Sequence, residues 1–339
     1  MNSTAPYRFS IILPVKNGGE YLKECVNSIL SQTYTSFDFI ILENASTDDT
    51  ISWLKTVKDT RIKLFSSRES LTIEENWARI LEVPKNEFIT LIGHDDILDP
   101  HYLETMNELI AQYPDASLYQ THFRFIDSKG QKIRSCKPME PVQSPQKTLS
   151  HFLANETDII GTGFMMRARD YDAIGGIPPY PSLLFADFEL WTKLAGISYM
   201  AVSPKECFAF RIHQSTTTTS TDIKMVSAFS KFVDFLYEQQ QSNKEFAKAI
   251  NEKAESLLDF YCQGFTSRIL RTAVKNRQGL TVDAIIAKFK VYAGLLLPGK
   301  QYQPEKIRAV RIAAMIDRSA IGRNLFLLFK KIYNKPILR

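Results

Sequence analysis

The sequence predicts an α/β fold, a mixed sheet with helices on both faces, followed by an α-helical C-terminal region. Three observations carry that expectation. Over the first 110 residues, short β-branched runs alternate with stretches whose apolar residues recur at helical spacing, the mark of βαβ units and a parallel sheet. The run Phe88-Ile-Thr-Leu-Ile92 is continuously apolar, as a strand covered on both faces must be, and soon reaches two adjacent carboxylates, Asp95 and Asp96. Beyond a Thr-rich stretch from Gln214 to Asp222 the pattern turns helical and the charge reverses.

The first strand is read at Phe9 to Val15. Pro14 ends it, Asn17-Gly18-Gly19 turns, and Leu22, Val26, Ile29 and Leu30 then share one helical face. Phe37 to Leu42 is the second strand. The polar turn Glu43 to Thr50 follows, with Ser46 or Thr47 placed to cap a helix carrying Ile51, Leu54 and Val57. A short third strand at Ile62 to Phe65 and a helix through Ile73, Trp77, Ile80 and Leu81 lead to the Phe88 to Ile92 strand. After Pro100 a helix (Leu103, Met106, Leu109, Ile110) precedes Leu118 to Phe125, whose Asp127-Ser-Lys-Gly130 turn predicts an antiparallel hairpin.

Residues 134 to 147 hold three prolines and read as an irregular loop. A strand is expected at Gly161 to Ala168, a rigid bend at Pro178 to Pro181, a helix starting at Phe185 to Trp191, and a last strand at Cys207 to Ile212. Two apolar stripes follow, one of Val226, Phe229, Val233, Leu236 and Tyr237, the other of Leu257, Leu258, Tyr261 and Phe265. The expected organisation is a catalytic-type α/β domain over residues 1–220 and a basic helical region over 221–339.

A length of 339 residues with 44% hydrophobic and 23% charged side chains suffices for one large core and a smaller second one. No run of about 18 apolar residues occurs, and Met1 to Arg8 lacks the features of a secretory signal, so the cytoplasm is the expected location. Cys25, Cys136, Cys207 and Cys262 form no Cys-x-x-Cys pair; buried reduced thiols are expected. The net charge of +5 hides an asymmetry: residues 1–223 carry 21 Lys+Arg against 28 Asp+Glu, and residues 224–339 carry 21 against 9. A basic segment suits an anionic surface, whether membrane phosphates, nucleic acid or an acidic polymer. With Leu325 to Phe329 set among Lys330, Lys331, Lys335 and Arg339, the favoured expectation is peripheral contact at the inner face of the plasma membrane and no nucleic acid.

Asp95 and Asp96 stand where open α/β sheets bind ligands, just beyond the carboxyl end of a strand. Neighbouring carboxylates repel, so two ionised acids there call for a cation, a hydroxyl-rich ligand or solvent. On residue chemistry alone all three remain open, as does helix capping ahead of Pro100.

Four stretches in order, Pro14-Val-Lys-Asn17, Glu43 to Thr50, Gly93-His-Asp-Asp96 and Asp187-Phe-Glu-Leu-Trp191, resemble the family-2 glycosyltransferases of the GT-A, Rossmann-like fold, over about residues 8 to 215. The resemblance implies a donor site made by Pro14, Val15 and Asn17 beside the nucleotide, by Glu43 with Asn44 at base or ribose, and by Asp95 at ribose. It implies that Asp96 holds a divalent metal, Mn²⁺ or Mg²⁺, that Asp187 is the general base, and that Arg211 and His213 contact diphosphate or metal. The implied reaction moves one sugar, with inversion, from a nucleoside diphosphate donor, a UDP-sugar foremost, to a glycan or lipid-linked acceptor in bacterial surface polysaccharide biosynthesis, lipopolysaccharide included. The chemistry agrees: a cation held by carboxylates can neutralise a leaving diphosphate, and a positioned carboxylate can take the acceptor hydroxyl's proton.

The sequence departs from the family pattern at three positions, where Glu43 replaces the common Asp, Gly93 the first acid of Asp-x-Asp, and Ala186 the acid that often precedes the base. The Gln-x-x-Arg-Trp signature of processive synthases is absent, favouring one sugar per binding event. Two other functions compete. A sugar nucleotidylyltransferase would carry a Gly-rich, Arg-containing loop after the first strand, which Pro14 to Gly19 does not match; a non-catalytic nucleotide-sugar-binding protein at a membrane would have no use for Asp96 and Asp187.

Overall fold

The computed structural model describes residues 7–213 and 220–332; residues 1–6, the Thr-rich 214–219 and the closing 333–339, with Lys335 and Arg339, lie outside them. The described residues fall into two units, one of residues 7–152 and 156–213, the other of residues 153–155 and 220–332.

The first unit is built on one sheet. Its strands are β1 (Phe9–Val15), β2 (Phe37–Glu43), β3 (Ile62–Ser66), β4 (Phe88–Leu91), β5 (Ile97–Leu98), β6 (Leu118–Ile126), β7 (Lys132–Ser135), β8 (Val142–Gln143), β9 (Phe164–Arg167) and β10 (Met200–Arg211). The order is β3-β2-β1-β4-β9-β6-β10-β5, with β7 beside β6 and β8 beside β10. β1 lies between β2 and β4, parallel to both, and every one of its residues is buried, which is why its sequence is apolar without alternation. Its register sets Val15 opposite Glu43, so the loops after β1 and β2 leave the sheet side by side.

The parallel half ends where β9 inserts antiparallel between β4 and β6. Around the sheet run α1 (Gly19–Leu30), α2 (Thr50–Leu54), α3 (Ile73–Ala78), α4 (Tyr102–Gln112), α5 (Pro145–Leu153), α6 (Ala168–Ala173) and α7 (Ala186–Ile197). α1 buries Leu22, Val26 and Ile29 of the expected stripe and Cys25 beside them, while Leu30 is half-buried; all four cysteines are buried and free. α3 begins with a capping box, Thr72 accepting from the Glu75 N–H while Glu75 accepts from the Thr72 N–H.

Several sequence expectations change. Ser46 and Thr47 do not cap α2, whose N-cap is Asp49; Ser46 Oγ instead accepts from the Asn17 N–H at 2.9 Å. The expected loop at 134–147 contains β8 and the start of α5, which opens on Pro145, a position where the missing N–H costs nothing. The last strand starts at Met200 rather than Cys207, because β10 passes Ser203-Pro204-Lys205 through a bulge and resumes pairing with β6. A proline that cannot donate hides such a strand from pattern reading.

The strand expected at Gly161 to Ala168 is shorter, since Gly163 sits at φ +79 and leaves the extended region. A Cβ at Gly163 would lie 2.9 Å from carbons of the Phe208 ring. Gly163→Ala is therefore expected to lower stability by ~2–4 kcal/mol, the sum of left-handed strain and overpacking. A urea midpoint shift at unchanged m-value would measure it, and a loss under ~1 kcal/mol would refute the close approach.

The second unit is helical: α8 (Asp222–Ser242), α9 (Lys244–Arg271), α10 (Val282–Leu296), α11 (Arg308–Arg318) and α12 (Ala320–Ile332). Its core gathers round Phe229, whose ring lies between 4.8 and 5.6 Å from those of Tyr261, Phe265, Phe289 and Tyr292. Val226, Val233 and Leu236 are buried as expected, whereas Tyr237, placed on the same stripe by the sequence, is exposed because its position falls past the edge of that face. Among the described residues, no helix is long and apolar enough to cross a membrane.

Candidate active site

The loops that leave the carboxyl ends of β1 and β2 are laced together. Asn17 takes a left-handed turn, φ 53, and its Oδ1 accepts from the Thr47 N–H at 2.8 Å. The Gly18 N–H donates to Thr50 Oγ1 and the Gly19 N–H to Asp48 Oδ2. Pro14 and Val15 are buried beneath this joint, and the Asn44 N–H donates to the Val15 carbonyl at 2.9 Å.

Glu43 is buried, with Oε1 accepting from the Ser46 N–H at 2.6 Å. Asn44 uses both ends of its amide on the Leu71 backbone, at 3.0 and 2.7 Å. The side chains of Glu43 and Asn44 thus organise the loops, while Lys16, Asn17, Thr47, Asp48 and Asp49 are exposed polar groups at this edge.

After β4 the two acids part company. Asp96 is 2% exposed, and both its oxygens are engaged: Oδ2 accepts from the Thr162 hydroxyl at 2.6 Å and Oδ1 from the Arg211 N–H at 3.1 Å. Burial, and next the charge of Asp95, push its carboxyl well above the ordinary range, against the pull of Thr162 and Arg211. Asp95 keeps 23% of its side chain exposed, and its Oδ2 lies 2.6 Å from His213 Nε2. The sequence expectation pairs Asp96 with the cation and Asp95 with ribose; the carboxylate that meets His213 and solvent is Asp95.

Gly93 explains its own departure from the family pattern. A Cβ there would stand 2.7 Å from Asp95 Oδ1 and 3.3 Å from Asp96 Oδ2, so a side chain at this position would require the Asp95 carboxylate to shift.

Arg211 is a strut. Its guanidinium donates to the Asp95 carbonyl at 2.8 Å, the Asp127 carbonyl at 3.2 Å and Glu24 Oε2 at 2.6 Å, and lies 4.4 Å from the centre of the Tyr21 ring. Its side chain is 1% exposed. These bonds tie α1, the acidic loop and the β6–β7 turn into one piece. Tyr21 also packs 5.3 Å from the His213 ring, so it lines both partners of Asp95. Next to the pair, burial lowers the pKa of His94, which favours its neutral form.

Asp187 enters at the first turn of α7. Phe185, just before the helix, is left-handed at φ 67, as are Ser182 and Leu183 at 55 and 54, and the Ser182 N–H is held by Glu74 Oε1 at 2.6 Å. Three strained residues in four mark a segment whose geometry its surroundings impose. Asp187 Oδ1 accepts from the Phe188 N–H at 3.1 Å, and burial pushes its pKa up to about 6. Its Oδ2 stands 3.8 Å from where a Gly161 Cβ would be. Gly161 and Thr162 are adjacent, so one short segment flanks the Asp187 carboxylate and also bonds Asp96.

Glu189, by contrast, is buried and saturated by the Tyr180 hydroxyl and Lys193, both at 2.6 Å. Trp191 stacks on Phe164 at 4.3 Å and donates to the Ile160 carbonyl, as a core residue.

Sequence reading passed over Thr162, Tyr21 and Glu24. Only the Gly161-Thr-Gly163 run offered a signal for Thr162, since two glycines around a hydroxyl before a strand invite close backbone approach. Tyr21 and Glu24 are indistinguishable in sequence from other residues of an amphipathic helix.

Among the described residues, no group of three or more His, Cys, Asp and Glu forms a complete metal cage. Asp95 and His213 nevertheless bring one carboxylate and one imidazole together, a donor set that fits Mn²⁺ when phosphate oxygens supply further ligands.

Comparison with known proteins places these features. The family described as Glycosyl transferase family 2 matches residues 10–175. An uncharacterized glycosyltransferase of Rickettsia prowazekii is 25% identical over 213 residues, 62% of this chain and 66% of its own length. Staphylococcus aureus TarS 1-349, solved with UDP-GlcNAc, superposes with a TM-score of 0.64 at 13% identity, over 98% of this chain and 93% of that one. The mannosyltransferase PcManGT of Pyrobaculum calidifontis, solved with GDP-Man and Mn²⁺, gives 0.53 at 15% identity, over 98% and 89%. The mixed sheet and helical C-terminal region thus form the GT-A glycosyltransferase fold.

Proposed function

Starting from its membership of glycosyl transferase family 2, shown by residues 10–175, we propose that this chain is an inverting, non-processive enzyme. It moves one sugar from a nucleoside diphosphate donor to a hydroxyl of a glycan or lipid-linked acceptor. The reading is carried by one observation: three carboxylates, two after β4 and one in the first turn of α7, sit in three different environments. Asp96 is buried and bonded, Asp95 faces His213, and Asp187 is tuned to about 6. Titratable groups whose surroundings drive them apart in this way are the usual sign of divided acid and base roles.

Asp187 is the base. With Oδ1 occupied by the Phe188 N–H, Oδ2 receives the acceptor hydroxyl's proton as the oxygen attacks the anomeric carbon from the face opposite the leaving diphosphate. A single displacement inverts that carbon. A pKa near 6 keeps the carboxylate ionised at neutral pH while leaving it more basic than a solvated aspartate.

Asp95 and His213 would hold the divalent cation, Mn²⁺ or Mg²⁺, which when bound offsets the charge developing on the leaving diphosphate. Asp96, Thr162 and Arg211 hold the acidic loop in place, and Asn17 with the β1 and β2 loops provides the nucleotide edge. TarS with UDP-GlcNAc supports a UDP-sugar as the first donor to test, and PcManGT with GDP-Man and Mn²⁺ supports the cation. A role in bacterial surface polysaccharide assembly on the cytoplasmic side is part of this reading, and the relatives of Rickettsia prowazekii and Streptococcus pneumoniae, both named as glycosyltransferases, support its sugar-transfer part.

The test is transfer from a panel of α-linked nucleotide sugars with Mn²⁺, the anomeric configuration of the product being read by NMR. A β-linked product and release of nucleoside diphosphate are expected. An α-linked product, or turnover that consumes a sugar 1-phosphate and a nucleoside triphosphate, would overturn the reading.

A further inference from the structure

α11 and α12 turn large aliphatic side chains to solvent. Ile312 and Met315 on α11 are 43% and 64% exposed, and Ile321, Leu325 and Leu328 on α12 are 74%, 61% and 56% exposed. The spacing of 321, 325 and 328 puts the last three on one helical stripe. The inner face of α11 is made of smaller residues, Val310, Ala313 and Ala314. Single exposed aliphatics are ordinary; five on two consecutive helices call for a partner.

Charge decides what that surface fits. Between Arg308 and Ile332 the sequence has six Lys and Arg and one acid, Asp317. That acid is buried against Arg277 and the Val282 N–H, so it neutralises nothing outside. Arg308 and Arg311 are exposed and precede Ile312 and Met315 at spacings of four residues, which sets cations and aliphatics on one side of α11. A second copy of the chain meeting this face about a twofold axis would bring the same cations against themselves. A surface of anionic headgroups over acyl chains accepts both the arginines and the aliphatics. Within the described residues α11 and α12 run 11 and 13 residues, shorter than a bilayer-crossing helix needs and long enough to lie along an interface.

We propose that α11 and α12 form a docking surface for an anionic phospholipid membrane, the aliphatics entering the headgroup and acyl boundary and Arg308 and Arg311 meeting lipid phosphates. The proposal does not rest on the catalytic assignment.

The test is cosedimentation of the full chain with vesicles of phosphatidylglycerol and phosphatidylcholine, compared with pure phosphatidylcholine, at low and high salt. The wild type is expected to pellet with anionic vesicles, weakly with neutral ones, and less as salt rises. Arg308→Glu with Arg311→Glu is expected to weaken partitioning at least about tenfold. Ile321→Glu with Leu325→Glu is expected to reduce it to the neutral-vesicle level, with unchanged circular dichroism and thermal midpoint. Asp187→Asn should pellet like the wild type, which separates docking from catalysis. Equal binding to neutral vesicles, or wild-type binding by either double variant, would overturn the proposal. So would a dimer in light scattering that Ile321→Glu with Leu325→Glu dissolves while no vesicle is bound.

Discussion

Asp187→Asn is expected to reduce kcat by ~10²–10⁴-fold with little change in donor KM, because the amide keeps the shape at the start of α7 and removes the proton acceptor. The pH dependence should change with it. A base must be deprotonated to act, and burial raises the Asp187 pKa to about 6, so wild-type kcat should rise about tenfold per pH unit below 6 and level off above it. The variant should lose that acidic limb. Equal kcat in the two proteins, or a limb that persists in Asp187→Asn, would assign the base elsewhere.

Asp95→Asn and Asp96→Asn are expected to behave in opposite ways although the residues are neighbours. Losing even an outer partner of a metal ligand costs ~10–100-fold in affinity, so Asp95→Asn should raise the Mn²⁺ concentration needed for half-maximal transfer by at least ~100-fold. Asp96→Asn should leave that concentration near the wild-type value: the new Oδ1 still accepts from the Arg211 N–H, and the Thr162 hydroxyl can turn to accept from the amide.

Stability should separate the pair further. The Asp96 pKa is raised above its unfolded value of 3.8, so the folded state favours the protonated acid, and its contribution is lost as pH rises from 3.8 through the folded value. Asp96→Asn removes that decline and should be at least as stable as the wild type at neutral pH, measured by urea titration. Asp96→Ala, which leaves the Arg211 N–H and Thr162 without their partner, should lose ~1–3 kcal/mol for each. If Asp96→Asn abolishes the metal requirement and Asp95→Asn does not, the roles are reversed.

The parts of the site that were legible in sequence are those whose signal is local. The all-buried β1 announces itself by an unbroken apolar run, α1 by a period of 3.6, and the acids by their place at the end of β4. Where the signal depended on a distant partner it failed. β10 needs β6 to define it through the Pro204 bulge, and β9 needs β4 and β6 on its two sides. The Arg-x-His setting of Arg211 is legible in sequence, yet its contacts with Glu24, Tyr21, Asp95 and Asp127 come from segments up to 190 residues away.

Periodicity and motif order were thus enough for the class of fold, for the strand ends on which the chemistry sits, and for the family. They could not apportion duties between Asp95 and Asp96, which are adjacent in the chain and identical in chemistry. Their different environments are set by tertiary packing. It buries Asp96 under Thr162 and the Arg211 backbone, leaves Asp95 beside His213, and sets both carboxylates against Gly93. Burial and hydrogen bonding set the charge and reach of a carboxylate, and both depend on residues brought together only by the fold.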